Sequence, residues 1–122
     1  MSIENITADD LRRMNGKEDF IRQQYEHIHQ MMELTDEALN HMISTLIGHK
    51  SDTDVNRSFN IENEINNYRN QLRSQNINDV NNHLYTYAIG TMYMDIIQEC
   101  EKLGDYVINV VEARMGVKQQ QA

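Results

Sequence analysis

Apolar residues recur at helical spacing through most of the chain and predict three long helices. From residue 17 to residue 48 they alternate at steps of four and three, which is typical of a helix packed at a shallow angle against its neighbours. The positions are Ile21, Tyr25, Ile28, Met32, Thr35, Leu39, Met42 and Leu46. Further apolar side chains widen this stripe enough for a helical bundle, namely Met31, Ala38, Ile43 and Ile47.

A second helix is predicted from about residue 54 to residue 74, after a run of side chains that can cap its start, Ser51-Asp-Thr-Asp54. Its apolar face consists of Ile61, Ile65, Tyr68 and Leu72. Residues 75–78 are predicted to connect it to the last helix.

The third helix is predicted to begin with Val80, Leu84 and Tyr87 and to run to about residue 115, with an irregularity near Gly90. Its apolar face holds Ile96, Ile97, Cys100, Leu103, Val107, Val110 and Val111. At about 100° per residue, one edge of that face carries Gln98, Glu101, Asp105 and Glu112. Gly104 lies among the apolar positions, so we expect a neighbouring helix to approach it closely.

Short connections between long helices predict an all-α fold, an antiparallel three-helix bundle. Residues 17–116 form the predicted domain, residues 1–16 a polar arm or linker, and residues 117–122 a polar tail. We expect the core to contain Ile28, Met32, Leu39, Ile65, Leu72, Ile96, Leu103 and Val107.

Composition narrows the classes of function. A chain of 122 residues without proline fits one helical domain, and its net charge of −8 disfavours nucleic acid. The single cysteine, Cys100, excludes a disulfide within the chain and is read as a small core residue. No apolar run approaches the roughly 20 residues of a membrane-spanning helix, and the N-terminus lacks a signal-peptide pattern. A soluble, cytoplasmic domain is expected.

The third helix contains a specific motif. Glu101-Lys-Leu-Gly-Asp105, followed by Asn109 and Glu112, resembles the E-[RK]-[IL]-G-D-x-x-x-N-[IV]-x-E signature of PhoU domains, the helical modules of phosphate-uptake regulation. The stretch from Glu62 to Leu72 resembles the second PhoU helix, which often reads E-x-x-[IV]-D-x-[LY]. These resemblances imply a PhoU-like fold with one unit, which is half of a two-unit PhoU protein.

The resemblance also implies a surface metal site, since two carboxylates at i and i+4 on a helix can approach one cation. Its ligands here would be Glu62, Asn66, Glu101 and Asp105. Oxygen ligands favour Mg, Ca, Mn or Fe over zinc or copper(I). Asn66 stands where the family's stronger sites have a carboxylate, so we expect weak binding, and the resemblance leaves open whether the site is filled or empty.

A single unit resembles the cytoplasmic C-terminal PhoU domain of sodium/phosphate symporters. The implied function is regulatory and not enzymatic, at the inner membrane, with the membrane transporter domain of the same polypeptide or a second PhoU unit as partner. We expect the isolated chain to form a homodimer. One alternative is a generic helical interaction module without metal. Another is a ferritin-like di-iron enzyme, suggested by the ExxH of Glu26 and His29, although such sites need two of these motifs and two more glutamates.

Overall fold

The computed structural model describes residues 19–48 and 52–116, without the side chains of residues 52–55 and 115. The described residues form three helices, α1 (Arg22–Ile47), α2 (Asp52–Asn81) and α3 (Tyr87–Met115), and each packs against the other two. The described part of the chain has no strand. The prediction of an all-α three-helix bundle is confirmed, while the predicted arm and tail lie outside the described residues.

Contacts between the helices define their directions. Arg57 near the start of α2 donates to Glu37 in the second half of α1, whereas Tyr68, later in α2, lies against Gln30, earlier in α1. These two helices are therefore antiparallel. His27 meets Tyr93 near the starts of α1 and α3, which run parallel. The order along the bundle is up, down, up.

The ends of α1 and α3 have recognisable caps. The side chain of Gln24 accepts a hydrogen bond from the backbone of Ile21 at 3.1 Å, so α1 begins at Arg22 and not at the predicted residue 17. Thr86 caps α3 by accepting from the backbone of Ile89 at 3.3 Å. Gly116 ends α3 in the left-handed conformation, at φ 71°, which glycine adopts without steric cost.

The predicted connection at residues 75–78 is wrong, because α2 continues through it to Asn81. The amide residues of this stretch are only mildly unfavourable in a helix, and tertiary contacts offset that cost. Asn76 accepts a hydrogen bond from Tyr85 at 2.8 Å, and Gly90 packs closely against Asn76 and Val80. Val80 therefore belongs to α2, and α3 is helical through Gly90.

The core draws side chains from all three helices, and four of the eight predicted members are buried, Ile28, Ile65, Leu72 and Val107. Three more are partly buried, Met32, Leu39 and Ile96. The buried face of α1 is rotated from the predicted one and is centred on Met31, Thr35 and Ala38. Thr35 fits this face because its hydroxyl donates to the carbonyl of Met31 at 2.9 Å. Cys100 is buried, as predicted.

Leu103 is the clearest error in the predicted core, since 47% of it is exposed. Gly104, the next residue, is the one that faces α2, and a step of about 100° along the helix turns Leu103 towards solvent. Within about two turns of this glycine, buried side chains of α3 lie on either side of it, Ile97, Cys100, Val107, Ile108 and Val111. The predicted apolar face was too wide by one column of residues.

Candidate functional site

The four predicted ligand residues flank the contact between α2 and α3, and we call them the α2–α3 edge: Glu62 and Asn66 on α2, Glu101 and Asp105 on α3. Glu62 is buried, with 8% of its surface exposed, and the other three are partly exposed. At about 100° per residue, Glu62 and Asn66 lie beside Ile65 on α2, and Glu101 and Asp105 lie beside Gly104 on α3. Ile65 and Gly104 meet across the two helices, so both pairs border that contact.

Gly104 is the reason that α2 and α3 approach closely at this place. An added Cβ would lie 3.0 Å from Cδ1 of Ile65 and 3.6 Å from its Cγ2. Ile65 is fully buried, so the glycine of the motif provides the space into which this side chain packs. The expectation of a close approach at Gly104 is confirmed.

On α2, the amide of Asn66 donates to Oε1 of Glu62 at 3.1 Å. Residues i and i+4 are neighbours on a helix surface, which makes this bond local. Asn66 therefore meets Glu62 with its nitrogen, an atom that does not ligate a cation, while Glu62 receives one hydrogen-bond donor for its buried carboxyl group.

On α3, the carboxyl group of Glu101 is paired with Arg69 of α2, at 3.4 Å between Nη1 and Oε1. Both side chains are largely enclosed, with 20% of Arg69 and 16% of Glu101 exposed. Sequence reasoning missed this arginine. The sequence spacing could have pointed to it. Arg69 follows Asn66 by three residues, so the two side chains share one face of α2.

The ExxH motif lies on the outside of the bundle. Glu26 and His29 are exposed, and His29 forms an ion pair with Glu33 at 2.8 Å on the surface of α1. The alternative reading as a di-iron enzyme requires ligands that point into the bundle. These side chains do not.

A second polar group, which sequence reasoning also missed, lies where α1 and α3 begin and α2 ends. Nδ1 of His27 and the hydroxyl of Tyr93 are 2.8 Å apart. Burial lowers the pKa of His27 below 6.5, against opposing effects of Glu26 and Asp79. Burial also raises the pKa of Tyr85 to about 12, an effect that Asp79 reinforces. His27 and Tyr93 link α1 to α3, and the hydrogen bond from Tyr85 to Asn76 links the segment before α3 to α2.

A comparison with protein families supplies the decisive observation. The model of the PhoU domain matches residues 28–113, well over half of the chain. The chain belongs to the PhoU domain family. Neither a curated protein nor a solved structure gave a match. The matched region runs from the first turns of α1 almost to the end of α3 and contains every residue of the α2–α3 edge.

The PhoU motif implies a metal ion at this edge, and the geometry allows a test of whether these side chains fit one. Among the described residues, no group of three or more His, Cys, Asp or Glu side chains is arranged to hold a metal. Asn66 presents its nitrogen to Glu62, and Glu101 is paired with Arg69. As arranged, the edge does not fit a metal ion. The bound cation stays a prediction, and it would require Arg69 to leave Glu101.

Proposed function

We propose that this PhoU domain is the cytoplasmic regulatory module of a sodium/phosphate symporter and that it acts through contacts with other proteins. PhoU domains are regulatory modules of phosphate homeostasis, and the match covers one three-helix unit. The family match carries the regulatory part of the proposal. The segment from Asp95 to Tyr106 adds support, because its amino-acid sequence resembles that of the C-terminal domains of such symporters.

An exposed apolar surface supplies a means of contact. Leu103 and Tyr106 on α3 are exposed, the latter by 62%, and so are Ile43 and Ile47 on α1, the latter by 82%. Since α1 and α3 run parallel, these side chains lie towards the same end of the bundle. Exposed large apolar side chains also occur at the opposite end, namely Ile77, Leu84 and Tyr87. On a small domain such side chains mark candidate interaction surfaces. We propose that the first of these surfaces contacts the transporter or a second PhoU unit.

None of the helices in the described ranges combines the length and the hydropathy that crossing a membrane requires. On this proposal, the membrane portion is a different part of the same polypeptide, and the domain reports phosphate status to it. The generic interaction module of the sequence analysis would use the same apolar surface, so the two readings differ in the partner and not in the mechanism.

The partner can be tested in two steps. The coding sequence upstream of Met1 is read first, and we expect a run of transmembrane helices; a stop codon there would refute the link to a transporter in the same polypeptide. The uptake of radiolabelled phosphate is then measured in cells that express the whole transporter, with and without residues 19–116. We expect the deletion to change the rate at fixed external phosphate while the transporter remains in the membrane. Equal rates at every phosphate concentration would refute the regulatory role.

A further inference from the structure

Arg69 places a permanent positive charge within the α2–α3 edge. A guanidinium group carries five donors and no acceptor and stays protonated in proteins. Here its Nη1 pairs with Glu101, and its Nε is buried without a hydrogen-bond partner among the residues that the structure describes. The arginine is therefore enclosed, and Glu101 is the carboxylate that compensates its charge.

The register of α2 and α3 puts Arg69 at this position. The two helices are antiparallel, and Gly104 lies against Ile65. The residue one turn after Ile65 on α2 therefore faces the residue one turn before Gly104 on α3. This places Arg69 beside Glu101. The close approach at the glycine thus sets the distance of the charged pair. The pairing follows from the packing of the motif glycine and not from a chance orientation of two surface side chains.

Two features of the edge then act against a bound metal ion. Arg69 uses an oxygen of Glu101 that a metal would need, and its positive charge repels a second cation. Asn66 replaces a carboxylate of the family motif, and its nitrogen faces Glu62. Compared with a motif that has aspartate at this position, the edge has lost one negative charge and contains one positive charge.

We propose that the guanidinium group of Arg69 is the resident cation of the α2–α3 edge and takes the place of the metal ion that the PhoU motif implies. Arg69 neutralises the enclosed carboxylate and links the two helices, which a divalent cation would otherwise do. The domain is therefore stable without a divalent metal, and removal of Arg69 frees the carboxylate of Glu101 to bind a cation.

The test is a calorimetric titration of the metal-stripped full chain with MnCl₂ and, separately, with MgCl₂. We compare the wild type with Arg69→Gln and with Arg73→Gln, a matched control that removes an exposed arginine one turn further along α2. Arg69→Gln should bind the cation at least about tenfold more tightly than the wild type, which corresponds to about 1.4 kcal/mol of relieved repulsion. Arg73→Gln should behave as the wild type does.

Thermal unfolding gives a second measurement. Chelation should leave the melting temperature of the wild type unchanged, whereas millimolar Mn²⁺ should raise that of Arg69→Gln and raise that of Asn66→Asp/Arg69→Gln further. Saturable one-to-one metal binding by the wild type, or binding by Arg69→Gln that is no tighter than that of the wild type, would overturn the proposal. Should Arg69→Gln fail to fold, the wild type and Arg69→Lys, which keeps the charge, decide the matter: saturable binding by either one overturns it.

Discussion

Replacing Gly104 by alanine tests the closest contact between α2 and α3. The new Cβ would lie 3.0 Å from Cδ1 of Ile65, inside the roughly 3.5–4.0 Å at which carbon atoms attract most strongly. Overpacking of this kind costs about 1–3 kcal/mol, whereas alanine is favoured over glycine in a helix by about 1 kcal/mol. We expect Gly104→Ala to lower the free energy of unfolding by about 0–2 kcal/mol.

Ile65→Val removes the atom that causes the overlap. By itself this substitution should cost about 0.5–1.5 kcal/mol. With Cδ1 absent, the added methyl group meets Cγ2 at 3.6 Å, which is an ordinary contact. In this background Gly104→Ala should raise the free energy of unfolding by about 1 kcal/mol. The two substitutions are therefore expected to couple by about 1–3 kcal/mol.

Urea denaturation of the wild type, both single variants and the double variant, followed by far-ultraviolet circular dichroism, measures this coupling. Ile61→Val is the matched control, because Ile61 is equally buried on the same helix and is not among the near neighbours of Gly104. Coupling to Ile61→Val should be small. If Gly104→Ala changes stability by the same amount with isoleucine or valine at position 65, the close contact does not determine how the helices pack.

Three further predictions follow from burial and charge. Leu103→Ala should cost less than about 1 kcal/mol because Leu103 is half exposed, whereas Ile97→Ala, at a fully buried position, should cost about 2–5 kcal/mol; comparable losses in denaturation would contradict the assigned face. Burial lowers the pKa of His27 below 6.5, so the unfolded chain binds more protons than the folded chain just below that pH, and the free energy of unfolding should fall as the pH drops through this range. His27→Gln should flatten the plot of the free energy of unfolding against pH. An unchanged slope in that plot would remove His27 as the cause. Sedimentation should show a dimer that Tyr106→Glu weakens, since Tyr106 is exposed, and a monomer at high concentration would contradict self-association.

The candidate site could be predicted from the sequence only in part. Glu62, Asn66, Glu101 and Asp105 could be proposed as ligands because helical spacing is local and visible in the sequence. Arg69 was not assigned to the edge, because its pairing with Glu101 spans two helices. The choice between a metal ion and an arginine as the cation therefore could not be made before the register of α2 and α3 was known.

The end of α2 shows the same division. A polar run rich in asparagine and glutamine reads as a connection when local preference is the only guide. In the folded protein it is helical. Gly90 on α3 has no side chain and lets α2 approach closely, and Tyr85 donates a hydrogen bond to Asn76. Tertiary contacts outweigh small differences in helix propensity.

The sequence by itself determined that the protein is helical, that it has three long segments, that Gly104 marks a close approach, and that the chain resembles a PhoU domain. These conclusions rest on periodicity and short motifs, which depend on neighbouring residues. Only the tertiary structure decided which column of each apolar stripe is buried, so that Leu103 is exposed and Met31 is not. It also decided that Glu101 pairs with Arg69. The physical reason is that a stripe wide enough to face two helices allows several rotations about the helix axis, and the packing of all three helices together selects one.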